Sequence, residues 1–399
     1  MLSQARRVWR AALPEPIRKL FAPVLGFGLE SYVRAAARRP HGAQSGAGPI
    51  RIVGYFQASH GIAASARLAA RAFEALGVPV ERLDVTDAKL DWEGRLTAPV
   101  NAGAWIFYLN PPELLAALAC LGPRQLRGPR YGYWAWELPK APARWRKDAA
   151  LVDEVWAPSR FTADALLGAA SPVRVVPHPM FMEDYARVRP APRRARFQGV
   201  SVFDFNSSLA RKNPEGAIAA WREAFGDDPT CELTFKTQNG DQFPDALGKL
   251  RADAPANVRI VDEVWPYEDV KRLIAGADVL VSLHRAEGFG LTLAEAMAIG
   301  TPVLATGWSG VMDFLDVDNA LLVPSTQVKV KDPQGIYAGQ SWADPDIDAA
   351  AGELKRLRDD PALGKRLGRA GRERVRRQLS PEAWFETLPE TVRRAARRD

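Results

Sequence analysis

From Ile50 onward, short apolar runs alternate with helical patterns, and after an interruption near residue 190 the alternation begins again. Parallel strands need long crossovers between them, and the helical stretches supply these, so the pattern predicts an α/β chain with two parallel sheets. In the first half strands are expected at Ile50–Tyr55, Val78–Leu83, Ala104–Tyr108, Tyr131–Trp134, Glu154–Ala157 and Val173–Val176. In the second half they are expected at Val200–Phe205, Cys231–Lys236, Val258–Val261, Val279–His284, Pro302–Ala305 and Ala320–Val323. Helices are expected between them, then at 344–358, 361–378 and Pro381–Arg398. Pro177-His178-Pro179 and the Pro- and Arg-rich stretch 187–196 read as the junction. The division is a basic extension over 1–48, parallel-sheet domains over 49–190 and 191–380, and a C-terminal helix over 381–399. Two such halves facing one another place a ligand in the cleft at the carboxyl ends of the strands.

The densest chemical signal is VLVSLHRAEGFGLTLAEAMAIGTPVLA, residues 279–305. A buried strand runs into Glu287-Gly288-Phe289-Gly290 and directly into a helix beginning at Leu291. The glycines allow close backbone approach, and the helix start offers free amides suited to a diphosphate. Glu295 follows Glu287 by eight positions, so one carboxylate lies on the loop and the other about a turn into the helix. Ionised carboxylates accept from vicinal hydroxyls, which suits a sugar and a ribose. A second signal is Ser207-Ser208-Leu209-Ala210-Arg211-Lys212-Asn213-Pro214, where Asn213 fits a helix cap and Pro214 the first helical position. Arg211 and Lys212 stand just before that helix, where cations neutralise a departing diphosphate. Lys236, at the end of the next strand, is a further cation for the same cleft. A third signal is the small-residue loop Gly54-Tyr55-Phe56-Gln57-Ala58-Ser59-His60-Gly61, which leads into a helix.

The 287–303 segment resembles the E-x7-E motif of the family-4 retaining glycosyltransferases, which have the GT-B fold of two facing Rossmann-like domains; the resemblance implies that 49–190 and 191–380 are those domains and that the helix over 381–399 crosses back to the first. The resemblance implies transfer of a mannose- or glucose-type hexose from a nucleotide-diphosphate sugar to a glycan or lipid-linked acceptor, in polysaccharide or lipid-linked glycan synthesis. It implies no cofactor beyond the nucleotide-sugar donor and no metal, with same-face substitution in which the leaving phosphate takes the acceptor proton. Glu287, Arg211 and Lys212 are then the catalytic residues. Glu295, Gly288, Phe289, Gly290, Leu291 and Lys236 bind the donor. Gly61 and His60 lie on the acceptor or sugar side. Many relatives place a histidine after a middle strand of the first half, where this chain has Tyr133-Trp134-Ala135-Trp136-Glu137-Leu138-Pro139. That role is absent or passes to Trp136 and Glu137, Trp136 either stacking on a sugar or packing between domains.

Other readings are weaker. The 54–67 loop is not GxGxxG, which argues against a nicotinamide site. Asp316-Val-Asp318 has the DxD spacing of the other large glycosyltransferase fold but reads as a turn, and Asp344, Asp346 and Asp348 read as a helix start. Cys120 and Cys231 form neither a CxxC nor a disulfide framework. A non-catalytic sugar-nucleotide or membrane-surface binding protein on the same fold is the alternative to an enzyme; the Glu287, Glu295, Arg211 and Lys212 set argues against it.

The net charge of +7 is uneven: residues 1–48 and 351–399 each carry +6, leaving −5 for the middle. The basic ends are either solvated helix faces or contacts to an anionic surface. Leu20–Leu29 follows Arg18-Lys19 as a signal peptide would, but Pro23, Gly26, Gly28 and Glu30 interrupt it. Trp9, Leu13, Ile17, Leu20 and Phe21 among arginines suit a membrane surface better. The expected location is cytoplasmic, with a peripheral place on the inner membrane face as the form the basic ends allow. No nucleic-acid-binding motif is present.

Overall fold

The structure is a computed structural model that describes residues 28, 30–37, 48–58, 60–86, 100–332, 335 and 337–397. Trp9, Leu13, Ile17, Leu20 and Phe21 of the basic extension lie outside the described residues. Among the described residues no helix is long and apolar enough to cross a membrane.

Two sheets of six parallel strands stand behind one another in the chain. The first contains β1 (Ile50–Gly54), β2 (Val80–Asp84), β3 (Ala104–Tyr108), β4 (Arg130–Tyr133), β5 (Glu154–Ala157) and β6 (Val173–Val175), in spatial order β2-β1-β3-β4-β5-β6. The second contains β7 (Phe197–Asp204), β8 (Cys231–Gln238), β9 (Val258–Asp262), β10 (Val279–Ser282), β11 (Val303–Thr306) and β12 (Leu321–Val323), in the order β9-β8-β7-β10-β11-β12. Helices cover both faces, so inner strands can be buried along their whole length, as AWIFY in β3 and VLAT in β11 are. Edge strand β2, VERLD, is half exposed and charged.

In each sheet the order reverses beside the first strand, between β1 and β3 and between β7 and β10. Crossover helices diverge there and leave a crevice beyond the strand ends. The loops leaving β1, β7 and β10 are those that carry His60, Arg211-Lys212 and Glu287. Within the second sheet, topology thus brings together the Arg211-Lys212 and Glu287 loops, far apart in sequence.

After β12 the chain makes an antiparallel hairpin, β13 (Ser325–Lys329) with β14 (Ser341–Pro345). The helix expected from residue 344 begins instead at Ile347, because Asp344 and Pro345 are paired in β14 and Asp346 caps the helix through Ala349 N. The single helix expected over Pro381–Arg398 is two, Pro381–Thr387 and Glu390–Ala396. Pro389 lacks the amide needed to continue the first and serves as the N-cap of the second. Both pack on the first domain. Trp384 is fully buried 5.0 Å from the Phe73 ring, and the Tyr131 and Thr391 hydroxyls are 2.6 Å apart. The chain therefore passes between domains twice, and the passages touch: Met180 N donates to Leu379 O at 2.6 Å.

Candidate active site

Glu287 sits on the loop between β10 and the helix Leu291–Ile299, and its side chain is about one-tenth exposed. Three contacts fix its backbone. Its amide donates to Ser309 Oγ at 2.9 Å, its carbonyl accepts from Gly310 N at 2.9 Å, and the next carbonyl, Gly288 O, accepts from Ser159 Oγ at 2.5 Å. The last bond comes from the first domain. Lys212 Nζ lies 2.5 Å and Arg211 Nη1 3.2 Å from Glu287 Oε1. Burial pushes this carboxyl up, but the charges of Lys212 and Arg211 outweigh burial and hold it down at about 2. The group is a carboxylate at any physiological pH.

The two cations differ in placement. Ser208 caps the single turn Leu209–Lys212, and Asn213, at φ 53°, ends it while capping Pro214–Phe225 through Gly216 N. Arg211 is turned inward, 5% exposed, and also donates to Ala286 O at 2.8 Å. Lys212 lines a narrow cleft with Glu287, Gly290, Leu291, Thr292 and the ends of β7 and β10. The helix Leu291–Ile299 enters this cleft with no side-chain cap, its N-cap being Gly290 at φ 91°. An anion in the cleft would meet one ammonium and the positive end of a helix.

Glu295 is buried on the same helix and does not line that cleft, with the Tyr267 hydroxyl and the Lys271 ammonium as the groups that act on it. Burial pushes its carboxyl up to about 7. Lys236 is not brought to Glu287: its ammonium donates to Thr237 O at 2.7 Å and Glu263 O at 2.5 Å, 5.0 Å over the Trp265 ring. Phe289 is buried against the His178 ring, with centroids 4.5 Å apart. Burial holds that imidazole down to about 4.

On the first-domain side, His60 caps Gly61–Ala75 through Nδ1, 3.4 Å from Ala63 N, and stands edge-on to Tyr55. Trp136 is packed edge-on between Trp145 and Tyr337, at 5.3 and 5.7 Å, so it serves the domain contact. Glu137 accepts from the Tyr337 hydroxyl at 3.4 Å, and its charge acts on Arg211. The acidic pairs are structural: Asp316 is ion-paired with Arg374, Asp344 with Arg285, and Asp346 is a cap. Among the described residues no three His, Cys, Asp or Glu side chains gather as metal ligands would.

Residues that the sequence reading passed over include Ser159, Thr162, Ser309, Tyr267 and Tyr337. Tyr337 had a signal. Gln327–Lys331 alternates polar and apolar residues and ends at Asp332-Pro333-Gln334-Gly335, which marks one strand and a turn but not the partner strand. The hydroxyl residues carried none, since Ser and Thr at helix starts are ordinary caps.

Comparison with known proteins places this geometry. The structure aligns with a glycosyltransferase of Rickettsia africae at a TM-score of 0.64 and 13% identity, over 88% of this chain and 100% of that one. It aligns with Anabaena HepE, solved with UDP and glucose, at 0.59 and 15%, over 86% and 99%. The architecture is the GT-B fold. Within this GT-B chain, residues 205–332 match the family described as glycosyl transferases group 1, a span that holds Arg211, Lys212, Glu287 and Glu295. A GDP-mannose-dependent monoacylated α-(1-6)-phosphatidylinositol monomannoside mannosyltransferase of Corynebacterium glutamicum is 26% identical over 195 residues, 47% of the GT-B chain. The chain spans 45% of that relative's length.

Proposed function

We propose that this protein is a retaining, family-4 type glycosyltransferase that moves a mannose- or glucose-type hexose from a nucleotide-diphosphate sugar to an acceptor hydroxyl. The observation that carries the reading is Glu287: a buried carboxylate, charge-compensated by Lys212 and Arg211, at the uncapped start of Leu291–Ile299. In this reading the diphosphate lies between Lys212 and the amides at Gly290–Thr292, where charge developing on the leaving group is stabilised without reorganisation. Arg211 keeps Glu287 in place, Glu287 accepts from donor-sugar hydroxyls, and Glu295 accepts from the ribose. The bond from the anomeric carbon to phosphate breaks, the bond to the acceptor oxygen forms on the same face, and the acceptor proton passes to the departing phosphate oxygen. Glu287 is no nucleophile here, since both cations hold it. The mannosyltransferase relative favours a GDP-sugar and a lipid-linked glycan acceptor, and Lys212 supplies at the diphosphate the charge that a metal supplies elsewhere.

A thermal-shift panel of UDP-, GDP-, ADP- and TDP-sugars tests the reading, because a ligand of the native state raises its stability with occupancy. One nucleotide class should raise Tm and be slowly hydrolysed without acceptor, with EDTA making no difference. If no nucleotide sugar binds, the proposal is wrong. Binding without turnover would point to the non-catalytic alternative, and loss on chelation restored by manganese would overturn metal independence.

A further inference from the structure

Ser282 is the last residue of β10, half-buried, and it lines the narrow cleft together with Lys212, Glu287 and Leu291. His284 follows just beyond the strand and is 0% exposed. Both of its neighbours are tied to the turn that carries the cations. Leu283 O accepts from Asn213 Nδ2 at 2.8 Å, and Arg285 N donates to Arg211 O at 2.7 Å. The imidazole is thus held in place beside the Arg211-Lys212 turn, and its Nδ1 lies 3.0 Å from Ser282 Oγ.

The other ring nitrogen decides the direction of that bond. His284 Nε2 is buried and makes no hydrogen bond among the described residues. Burial holds the ring down to about 4, so it is neutral and carries one proton. On Nε2 that proton would be a buried N–H without an acceptor, which folded proteins avoid. On Nδ1 it has Ser282 Oγ to donate to, and the partnered nitrogen keeps the proton. Ser282 Oγ is then an acceptor from the ring, and its own proton is left for the cleft side. The packing gives no reason for a histidine here, since an apolar side chain would bring no orphaned nitrogen into this core.

We propose that Ser282 is a donor-binding residue whose hydroxyl, turned outward by His284 Nδ1–H, donates to a phosphate oxygen of the nucleotide-diphosphate sugar, with His284 as its positioning residue. This rests on the glycosyltransferase reading for the ligand, not for the direction of the hydroxyl. Lys212 is a point charge that attracts a diphosphate without fixing its orientation. A hydroxyl whose lone pair is already engaged has one direction left for its proton, so it adds alignment to the attraction that the ammonium supplies.

Calorimetry with UDP, GDP, ADP and TDP tests the binding role. For the nucleotide that wild type binds, Ser282→Ala should weaken affinity about tenfold, since a bond to an anion is lost. His284→Leu should cost about the same tenfold with Tm near wild type, because it removes an orphaned nitrogen along with the bond. His284→Asn, whose side-chain amide takes the place of Nδ1–H, should keep affinity within about twofold. The double variant Ser282→Ala/His284→Leu should lose no more than either single variant. Additive losses, or full affinity in Ser282→Ala, would overturn the proposal. Nitrogen NMR of the ligand-free chain, labelled at its four histidines, locates the proton directly, the His284 signals being those that vanish in His284→Asn. A protonated Nδ1 is expected. A proton on Nε2, shared with the Trp308 backbone that acts on the ring, would make Ser282 the donor to His284 and overturn the outward direction. Should wild type bind none of the four nucleotides, the transfer reading fails by itself, and the NMR result still decides which way the hydroxyl points.

Discussion

In the proposed reaction Glu287 and Lys212 form the pair on which the chemistry turns, and the different placement of the two predicts different losses. Glu287→Gln leaves two buried cations without a counter-charge, so both spread toward the incoming phosphates. Nucleotide affinity should change by no more than several-fold, whereas turnover should fall about 100-fold, since the donor sugar loses its strongest acceptor. Lys212→Ala removes the cation that lines the cleft, and turnover should fall by about 100- to 1,000-fold with donor binding weakened as well. Steady-state kinetics over donor concentration separate the two patterns. Full activity in both variants would show that the site lies elsewhere. Arg211 differs from its neighbour in being turned inward, so its replacement should cost stability as well as rate.

At the scale of elements, the helix Leu291–Ile299 and the turn Gly310–Asp313 are packed to contact. A Cβ on Gly310 would land on the Gly288 carbonyl oxygen and lie 2.8 Å from Ser159 Oγ. Gly310→Ala should therefore push the Glu287–Gly290 loop out of line and lower stability by about 1–3 kcal/mol. It should also blunt the Tm rise given by nucleotide. Melting curves with and without GDP and UDP read both effects, and an unchanged nucleotide response would mean the loop tolerates the methyl group. The loop and helix around Glu287 were legible because glycine at both ends and a buried strand before them leave few alternatives: the helix Leu291–Ile299 begins at the expected residue. Arg211-Lys212-Asn213-Pro214 was legible for the same reason, as a cap with a proline behind it. The hairpin was not, because its two strands are short, half exposed and separated by a long connection. Trp136 left two readings open, since sequence shows the ring but not the Tyr337 ring that meets it, 201 positions later. Lys236 looked like a cleft cation because carbonyls that capture an ammonium leave no trace in side-chain identity.

For the whole molecule, stability between pH 7 and pH 5 reflects three buried groups. His178 and His284 are held down to about 4 by burial, so their unfolded forms take up protons first, and stability is lost as pH falls below 6.5. Each should contribute about 2 kcal/mol of loss by pH 5. Glu295 acts oppositely. Its folded carboxyl is raised to about 7 from 4.5, so the native state holds a proton that the unfolded chain has released, and lowering the pH restores stability. The net expectation is a fall on the order of 1–2 kcal/mol from pH 7 to pH 5, and a larger fall in Glu295→Gln. Urea unfolding at the two pH values measures it. An equal fall in wild type and Glu295→Gln would mean that Glu295 titrates as an ordinary exposed acid.

The paired passages at Met180 and Leu379 have a mechanical consequence. A single tether lets two bodies swivel about any line through it, whereas two tethers bonded side by side remove most of those rotations. What remains is swing about one axis, like a door on two pins. The contacts that face each other across the domains come from two short stretches of the first domain: Ser159 with Gly288, Arg160 with Asp313 and Phe161 with Trp308 in one, Trp136 with Tyr337 and Lys140 with Gln340 in the other. Any swing about that axis therefore has to release both rows of latches together, and the leaf that swings carries the loops around Glu287 with it as a unit.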